Sequence, residues 1–186
     1  SPSVDMTINL GGNTLSSNGN DTIVMYVTSG NLIIDGRLEG SKVELISTNE
    51  NLNQFARIEA GNTTIIGGIY NISLNNGVGG GFTVVNDANL LISSATINVK
   101  NTTGEIRAFQ PLTTGNITIQ NSSINAESSS GDAYVISAFQ GNISIENSNI
   151  FASSNNGKAY GINNNSNYGN DSAKITVTNT NILASS

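Results

Sequence analysis

Short alternating runs of apolar and polar residues recur along this chain in closely similar form. The clearest copy is Gly115–Ala126 (GNITIQNSSINA), which returns as Gly141–Ala152 (GNISIENSNIFA) and as Ala173–Ala184 (AKITVTNTNILA). Weaker copies begin at positions 88, 61, 30 and 4, so that successive starts lie 26 to 32 residues apart. Self-similarity at such a period is typical of repeat proteins, in which each unit packs against its neighbours. The pattern therefore predicts a solenoid.

Each unit contains two alternating runs on either side of one special position. In the copy that starts at Gly115, Ile117 and Ile119 point to one side while Thr118 and Gln120 point to the other, as in a half-buried strand. The position between the runs is usually Gly or Asn, which adopt the left-handed conformation at little cost. We therefore predict a sharp bend with positive φ at these positions: Gly36, Gly67, Asn121, Asn147 and Asn179.

A third run follows a polar connection in each of the best units. It reads GEIRAFQ from Gly104, GDAYVIS from Gly131 and GKAYGIN from Gly157. Three strands per unit, stacked on the next unit at about 4.8 Å, make an all-β parallel β-helix. We predict about seven coils of three short strands, almost no helix, and strands near 116–120, 123–126 and 133–138.

Arg107 is expected to face solvent, and alternation along the third run then fixes which of its side chains point inward and which point outward. Ile106 then points inward, and we place Tyr134, Tyr160 and Phe82 in the same inward column. On this interpretation the two tyrosines stack within the core. An outward placement would instead allow them to bind a sugar ring.

The second position of each unit predicts a further column. It is Asn in five successive units, at Asn31, Asn62, Asn89, Asn116 and Asn142. Stacked Asn side chains can hydrogen-bond their amides along the axis of a solenoid. The alternative is that Asn is simply favoured in turns. We favour a structural column of stacked amides.

Composition excludes several classes of protein. The 186 residues carry a net charge of −6, and the seven basic residues are scattered, so no nucleic-acid-binding surface is expected. No apolar run approaches the roughly 18 residues of a membrane span, and the first ten residues lack the regions of a signal peptide. The last repeat stops before its third run. We therefore expect one β-solenoid segment over residues 1–186, cut from a longer chain.

Titratable groups converge at one position of the repeat. Glu105, Asp132 and Lys158 stand just before the third strand in three consecutive units, where Asp132 and Lys158 are close enough for an ion pair. They could be a catalytic carboxylate pair with a lysine, or an exposed charge ladder. We favour the ladder because neither His, Cys nor a second carboxylate cluster accompanies them. No catalytic residue, metal ligand or cofactor is predicted.

Binding is expected where unit length varies, because loops absorb insertions and carry function. The predicted contact face is built from four connections: residues 101–105, 127–132, 153–158 and 163–172. Arg107 and Tyr168 are the expected anchors, since Arg and Tyr are favoured at interfaces, with Asp132 and Lys158 beside them. Glu127 is interpreted as a single solvated charge.

With its repeat of GNITIQNSSINA, loop and GDAYVIS, the chain resembles the β-helical passenger domains of bacterial autotransporters and related secreted adhesins. This resemblance implies a right-handed β-helix on a bacterial surface or in secreted form. It implies a noncatalytic adhesin segment that attaches to a host surface protein, to a glycan or to another copy of itself. The alternative is a polysaccharide lyase or glycoside hydrolase of the pectate-lyase-like type. That family uses Ca²⁺-binding carboxylates and a basic residue, and the chain shows no matching set.

Overall fold

The computed structural model describes residues 5–17, 23–47, 54–75, 78–164 and 173–186. The regular structure of these residues consists of strands, and none of them lies in a helix. In chain order the strands are β1 (Met6–Asn9), β2 (Thr14–Ser17), β3 (Ile23–Val27), β4 (Asn31–Gly36), β5 (Lys42–Ile46), β6 (Gln54–Ile58), β7 (Asn62–Gly67), β8 (Ile69–Leu74), β9 (Val78–Val84), β10 (Asn89–Ser93), β11 (Thr96–Asn101), β12 (Glu105–Pro111), β13 (Asn116–Gln120), β14 (Ser123–Ser128), β15 (Ala133–Ala138), β16 (Asn142–Glu146), β17 (Asn149–Ser154), β18 (Ala159–Asn164), β19 (Lys174–Thr178) and β20 (Asn181–Ser185).

The strands form three parallel sheets that run the length of the molecule. The first sheet has the order β1-β4-β7-β10-β13-β16-β19, the second β2-β5-β8-β11-β14-β17-β20, and the third β3-β6-β9-β12-β15-β18. Each coil therefore gives one strand to each sheet, and the coil itself is the crossover that parallel strands require. This arrangement confirms the parallel β-solenoid.

The number of complete coils is smaller than predicted. In the described residues, six coils contain all three strands and the following coil contains β19 and β20 only. The three strands predicted in the best repeat are confirmed. β13 and β15 have the predicted bounds, and β14 extends two residues further, to Ser128.

The core lies between the three sheets and is built from columns of like residues. Alternation along the strands of the first two sheets sends every second side chain inward, and parallel pairing places it against the equivalent residue of the next coil. Ile65, Ile92 and Ile119 form one such fully buried column. Aromatic rings fill the third sheet's side of the core: Phe55 meets Phe82 edge to face at 5.3 Å, and Phe82 stacks on Phe109 at 5.2 Å.

The corner between the first and second sheets contains the predicted left-handed residues. The φ angles are 67° at Gly67, 51° at Asn121, 48° at Asn147 and 47° at Asn179, which confirms the prediction at these four positions. Ser94 occupies the same place with φ 55°. Asn tolerates this conformation, so the chain can turn between strands in two residues.

Gly36 corrects the prediction for this corner, because its φ is not positive. In its coil the connection to β5 is longer, and the left-handed residue is Gly40, with φ 86°. Gly36 itself ends β4 in register with Gly67. A Cβ on Gly36 would lie 3.0 Å from the carbonyl oxygen of Gly67, so any side chain here would press on the backbone of the next coil.

The predicted Asn column is confirmed as a ladder at the start of the first sheet. Each amide nitrogen donates to the amide oxygen one coil earlier, at 2.7 to 3.0 Å, through Asn31, Asn62, Asn89, Asn116 and Asn142. At its N-terminal end, Asn31 donates to Asp5 Oδ1 at 2.8 Å. The ladder satisfies the side-chain amides at a tight corner and fixes the register of the coils.

The corner between the second and third sheets is held by buried hydroxyl groups. Ser128 Oγ donates to the carbonyl oxygen of Gly104 at 2.6 Å and accepts the backbone N–H of Gly131 at 2.8 Å. Ser154 repeats both contacts one coil later, with Gly131 and Gly157. The bonds to the carbonyl oxygens join successive coils and the bonds from the N–H groups close the corner within one coil, so together they set where each third strand begins.

Candidate functional site

A polar and aromatic cluster lies on the outer face of the third sheet. Strand pairing places Tyr134 beside Arg107 on one side and beside Tyr160 on the other. All three side chains are half-buried on the outside of the sheet. We refer to Arg107, Tyr134 and Tyr160, with the flanking Glu105, Asp132 and Lys158, as the tyrosine ridge.

This register corrects the predicted inward column. Ile106 pairs with Ala133, not with Tyr134, so the two tyrosines share the outward parity of Arg107. Phe82 does point inward, but its partner in the next coil is Phe109. The physical reason is that the Ser128 hydroxyl fixes the corner before β15. The backbone N–H of Ile106 then donates to the carbonyl oxygen of Asp132, so that the small Ala133 faces the core and the following tyrosine faces outward.

The two tyrosine rings stack along the solenoid axis. Their centroids are 4.7 Å apart and their planes differ by 2°. On the other side of Tyr134, the guanidinium carbon of Arg107 lies 5.9 Å from the ring centroid, within cation–π range. The same guanidinium carbon lies 5.8 Å from the ring of Phe139. Tyr134 is thus covered on both faces and presents its ring edge and its hydroxyl group to solvent.

Hydrogen bonds and charges hold these side chains in place. Arg107 Nε donates to Glu105 Oε1 in an ion pair. The Tyr134 hydroxyl donates to Asp132 Oδ2 at 3.0 Å. Burial raises the pKa of Tyr134, and the hydrogen bond to Asp132 and the charges of Glu105 and Asp132 raise it further. Tyr134 therefore remains a neutral donor at physiological pH.

The predicted proximity of Asp132 and Lys158 is realised through the backbone. The main-chain N–H of Lys158 donates to Asp132 Oδ1 at 2.8 Å, and among the described residues the Lys158 ammonium group forms no ion pair with Asp132. Glu105, Asp132 and Lys158 do occupy equivalent positions in three successive coils, as the sequence predicted. With Arg107 they carry two negative and two positive charges, so the ridge is close to neutral overall.

Three of the four predicted binding residues meet in the ridge. Arg107, Asp132 and Lys158 lie on neighbouring coils of one face, whereas Tyr168 lies outside the described residues. In the described part of the chain, no three carboxylate, imidazole or thiol groups converge as potential metal ligands. No helix among these residues is long and apolar enough to cross a membrane. What the ridge can offer a partner is directed hydrogen bonds, a guanidinium group and an aromatic edge.

A second polar surface was not predicted from the sequence. Lys100 Nζ lies 2.8 Å from Glu127 Oε1 on the outer face of the second sheet, so Glu127 is paired, which corrects its interpretation as a single charge. The sequence does contain a signal for this pair, because Lys100 precedes Glu127 by 27 residues, the length of one coil.

Comparison of the chain with protein-family profiles, with curated proteins and with solved structures finds no significant match.

Proposed function

We propose that this chain is a noncatalytic adhesive segment of a bacterial cell-surface or secreted protein, and that the tyrosine ridge contacts a surface protein of the host. The observation that carries the proposal is the outward stack of Arg107, Tyr134 and Tyr160 on a continuous sheet. Tyr and Arg are enriched among the residues that dominate the free energy of binding at protein interfaces. The right-handed winding that the family resemblance implies is part of the same proposal.

The covering of Tyr134 supports a protein partner over a glycan at the centre of the ridge. A sugar that stacks on tyrosine needs a free ring face, and both faces of Tyr134 are covered, by Tyr160 and by Arg107. What the ridge offers instead is ring edges, hydroxyl groups and a guanidinium group. Their orientation is fixed before binding by Glu105 and Asp132, which lowers the entropic cost of association.

A second candidate function uses the same charges. A polysaccharide lyase or glycoside hydrolase is favoured by the two carboxylates, Glu105 and Asp132, beside Arg107 and Lys158 on neighbouring coils. General acid–base catalysis needs such groups directed at a substrate. Here Glu105 is engaged by Arg107, and Asp132 by the Tyr134 hydroxyl and the Lys158 N–H. These contacts indicate that the two carboxylates hold the side chains of the ridge in place, so we rank binding above catalysis as the function of this face.

The test measures attachment of the fluorescently labelled chain to cultured epithelial cells by flow cytometry. We expect Tyr134→Ala combined with Tyr160→Ala to weaken attachment about tenfold or more, because both removed side chains would lie at the centre of the contact. The matched control is Thr118→Ala combined with Thr176→Ala, which removes two outward side chains from the first sheet. Thermal unfolding of each variant verifies that the fold is retained.

Each outcome decides between the alternatives. Loss of attachment after protease treatment of the cells, but not after glycosidase treatment, supports a protein partner. Attachment that survives the tyrosine variant but is abolished by the threonine variant would move the contact to the first sheet. Sedimentation of the chain alone detects self-association. Turnover of any polysaccharide in a reducing-sugar or unsaturated-product assay would replace adhesion with catalysis.

A further inference from the structure

A shallow groove crosses the outer face of the second sheet, away from the tyrosine ridge. It has a volume of about 480 Å³, within the range of small-ligand sites. Its floor contains the outward residues of β8, β11, β14 and β17. Two columns of side chains run along it, one of amides that ends at an aromatic ring and one that contains an ion pair.

The amide column is a second ladder of hydrogen-bonded Asn side chains. Asn98 Nδ2 donates to Asn71 Oδ1 at 2.9 Å, and Asn125 Nδ2 donates to Asn98 Oδ1 at 2.7 Å. Each link uses one of two N–H groups and one of two lone pairs, so the ladder keeps further donors and acceptors for a ligand. The links also fix how each amide is turned. Successive coils repeat these groups at about 4.8 Å along the groove.

The ladder ends at an exposed aromatic ring. Strand pairing places Phe151 directly after Asn125 in the column, and 38% of Phe151 is exposed. The equivalent segments SINA and NIFA share their Ile and Ala residues and differ at this position by Asn against Phe. An aromatic ring next to a row of amides pairs an apolar surface with directed hydrogen bonds.

The neighbouring column leaves the groove without a strong net charge. Lys100 and Glu127 form an ion pair at 2.8 Å, and Ser73 and Ser153 flank the pair with small hydroxyl groups. An anionic ligand would meet Glu127 as closely as Lys100. The small flanking residues leave room above the amides.

We propose that this groove binds a neutral oligosaccharide that lies along the solenoid axis, with one sugar ring against the exposed part of the Phe151 side chain and hydroxyl groups on Asn98 and Asn125. An uncharged chain of sugars carries both features that the groove displays, an apolar ring face and closely spaced hydroxyl groups. This site is independent of the tyrosine ridge and of its proposed protein partner.

The test titrates the ¹⁵N-labelled chain with neutral hexose and pentose oligosaccharides of six units, namely cellohexaose, mannohexaose and xylohexaose. Side-chain amide signals are followed by NMR. We expect the signals of Asn98 and Asn125 to shift with at least one of these sugars, and Phe151→Ala to weaken its Kd about fivefold or more. Asn98→Leu is expected to abolish the shift at Asn125. The matched control is Tyr26→Ala, which removes an exposed aromatic ring from the third sheet.

Two readouts keep the result interpretable. Equal unfolding midpoints for Phe151→Ala and Tyr26→Ala separate lost contact from lost fold. A titration with hexagalacturonate tests the argument that the groove prefers an uncharged ligand. Binding of this acidic sugar in preference to all three neutral ones would overturn that argument. Absence of any shift with the neutral sugars at millimolar concentration would overturn the site, as would shifts confined to the tyrosine ridge.

Discussion

Single residues with positive φ decide where each coil turns. The corner between the first and second sheets uses Asn in its later coils and Gly67 in the third, all with φ between 47° and 67°. Asn tolerates this region, and glycine enters it without strain. At Gly67 the neighbouring coil adds a second constraint, since an added Cβ would lie 2.9 Å from the Cα of Arg37.

Replacement of Gly67 by Val tests this constraint. We expect the free energy of unfolding to fall by about 1–3 kcal/mol, because a β-branched residue is strained at positive φ and the Arg37 backbone cannot withdraw. The measurement is chemical denaturation. Thr118→Val introduces the same side chain at an outward strand position and is expected to change stability by less than about 0.5 kcal/mol. Equal stability of Gly67→Val and the parent protein would contradict the strained corner.

Residue type alone could not predict every bend. Gly36 and Gly67 stand in register on adjacent strands, yet only Gly67 is left-handed. The difference comes from the length of the corner that follows, because the second coil places Gly40 before β5. Sequence reasoning that aligns glycines by repeat position does not detect such an inserted turn. It does predict correctly the corners of equal length, at Asn121, Asn147 and Asn179.

At the scale of strands, alternation predicted the first two sheets well and the third poorly. In β13 and β14 buried and outward residues alternate strictly, so period two identifies the core face. In β15 four consecutive residues from Val135 are buried. In a strand without strict alternation, the sequence does not show which side chains face the core. The large apolar ring of Tyr134 then favours an inward assignment, which is wrong. The register follows instead from Ser128 and Gly131 at the preceding corner, and it decides that the tyrosines are on the surface.

The Asn ladder joins strands of the first sheet, and its contribution to the free energy of unfolding can be tested at Asn89, in the middle of the ladder. Asn89→Ala removes the donor to Asn62 and the acceptor for Asn116. Two exposed hydrogen bonds are expected to contribute about 1 kcal/mol to the free energy of unfolding. The control is Asn155→Ala, because Asn155 is exposed and its backbone N–H, which bonds Ser128, is unchanged. Equal denaturation midpoints for the two variants would show that the column reflects turn preference alone.

At the scale of the whole molecule, stacking converts sequence repeats into continuous surfaces. Residues about 27 positions apart become neighbours, so that Arg107, Tyr134 and Tyr160 form one ridge and Asn71, Asn98 and Asn125 form one ladder. The ridge lies on the third sheet and the groove on the second. A partner on one sheet therefore does not occupy the other, and the two proposed activities can be measured separately.

The same stacking makes the coil the unit of stability. Residues 116–141 are one coil, and their removal joins Gly115 to Asn142. Asn142 pairs with Asn116 and is its equivalent, so it would take the same place on Asn89. The inward columns of the first two sheets would then continue with a like residue, as when Ile143 replaces Ile117, whereas in the third sheet Asn164 would replace Ala138.

We expect the chain without this coil to remain a β-solenoid that unfolds cooperatively at a lower temperature, since each coil contacts only its neighbours. Circular dichroism during heating measures both properties. Removal of residues 116–128 is the control, because it deletes two strands of a coil and leaves the third, which puts β15 directly after the corner that leads into the first sheet. That variant is expected to lose its cooperative transition. If both deletions abolish the transition alike, stability is not a sum over coils, and the similarity of the repeats reflects sequence pattern without interchangeable packing.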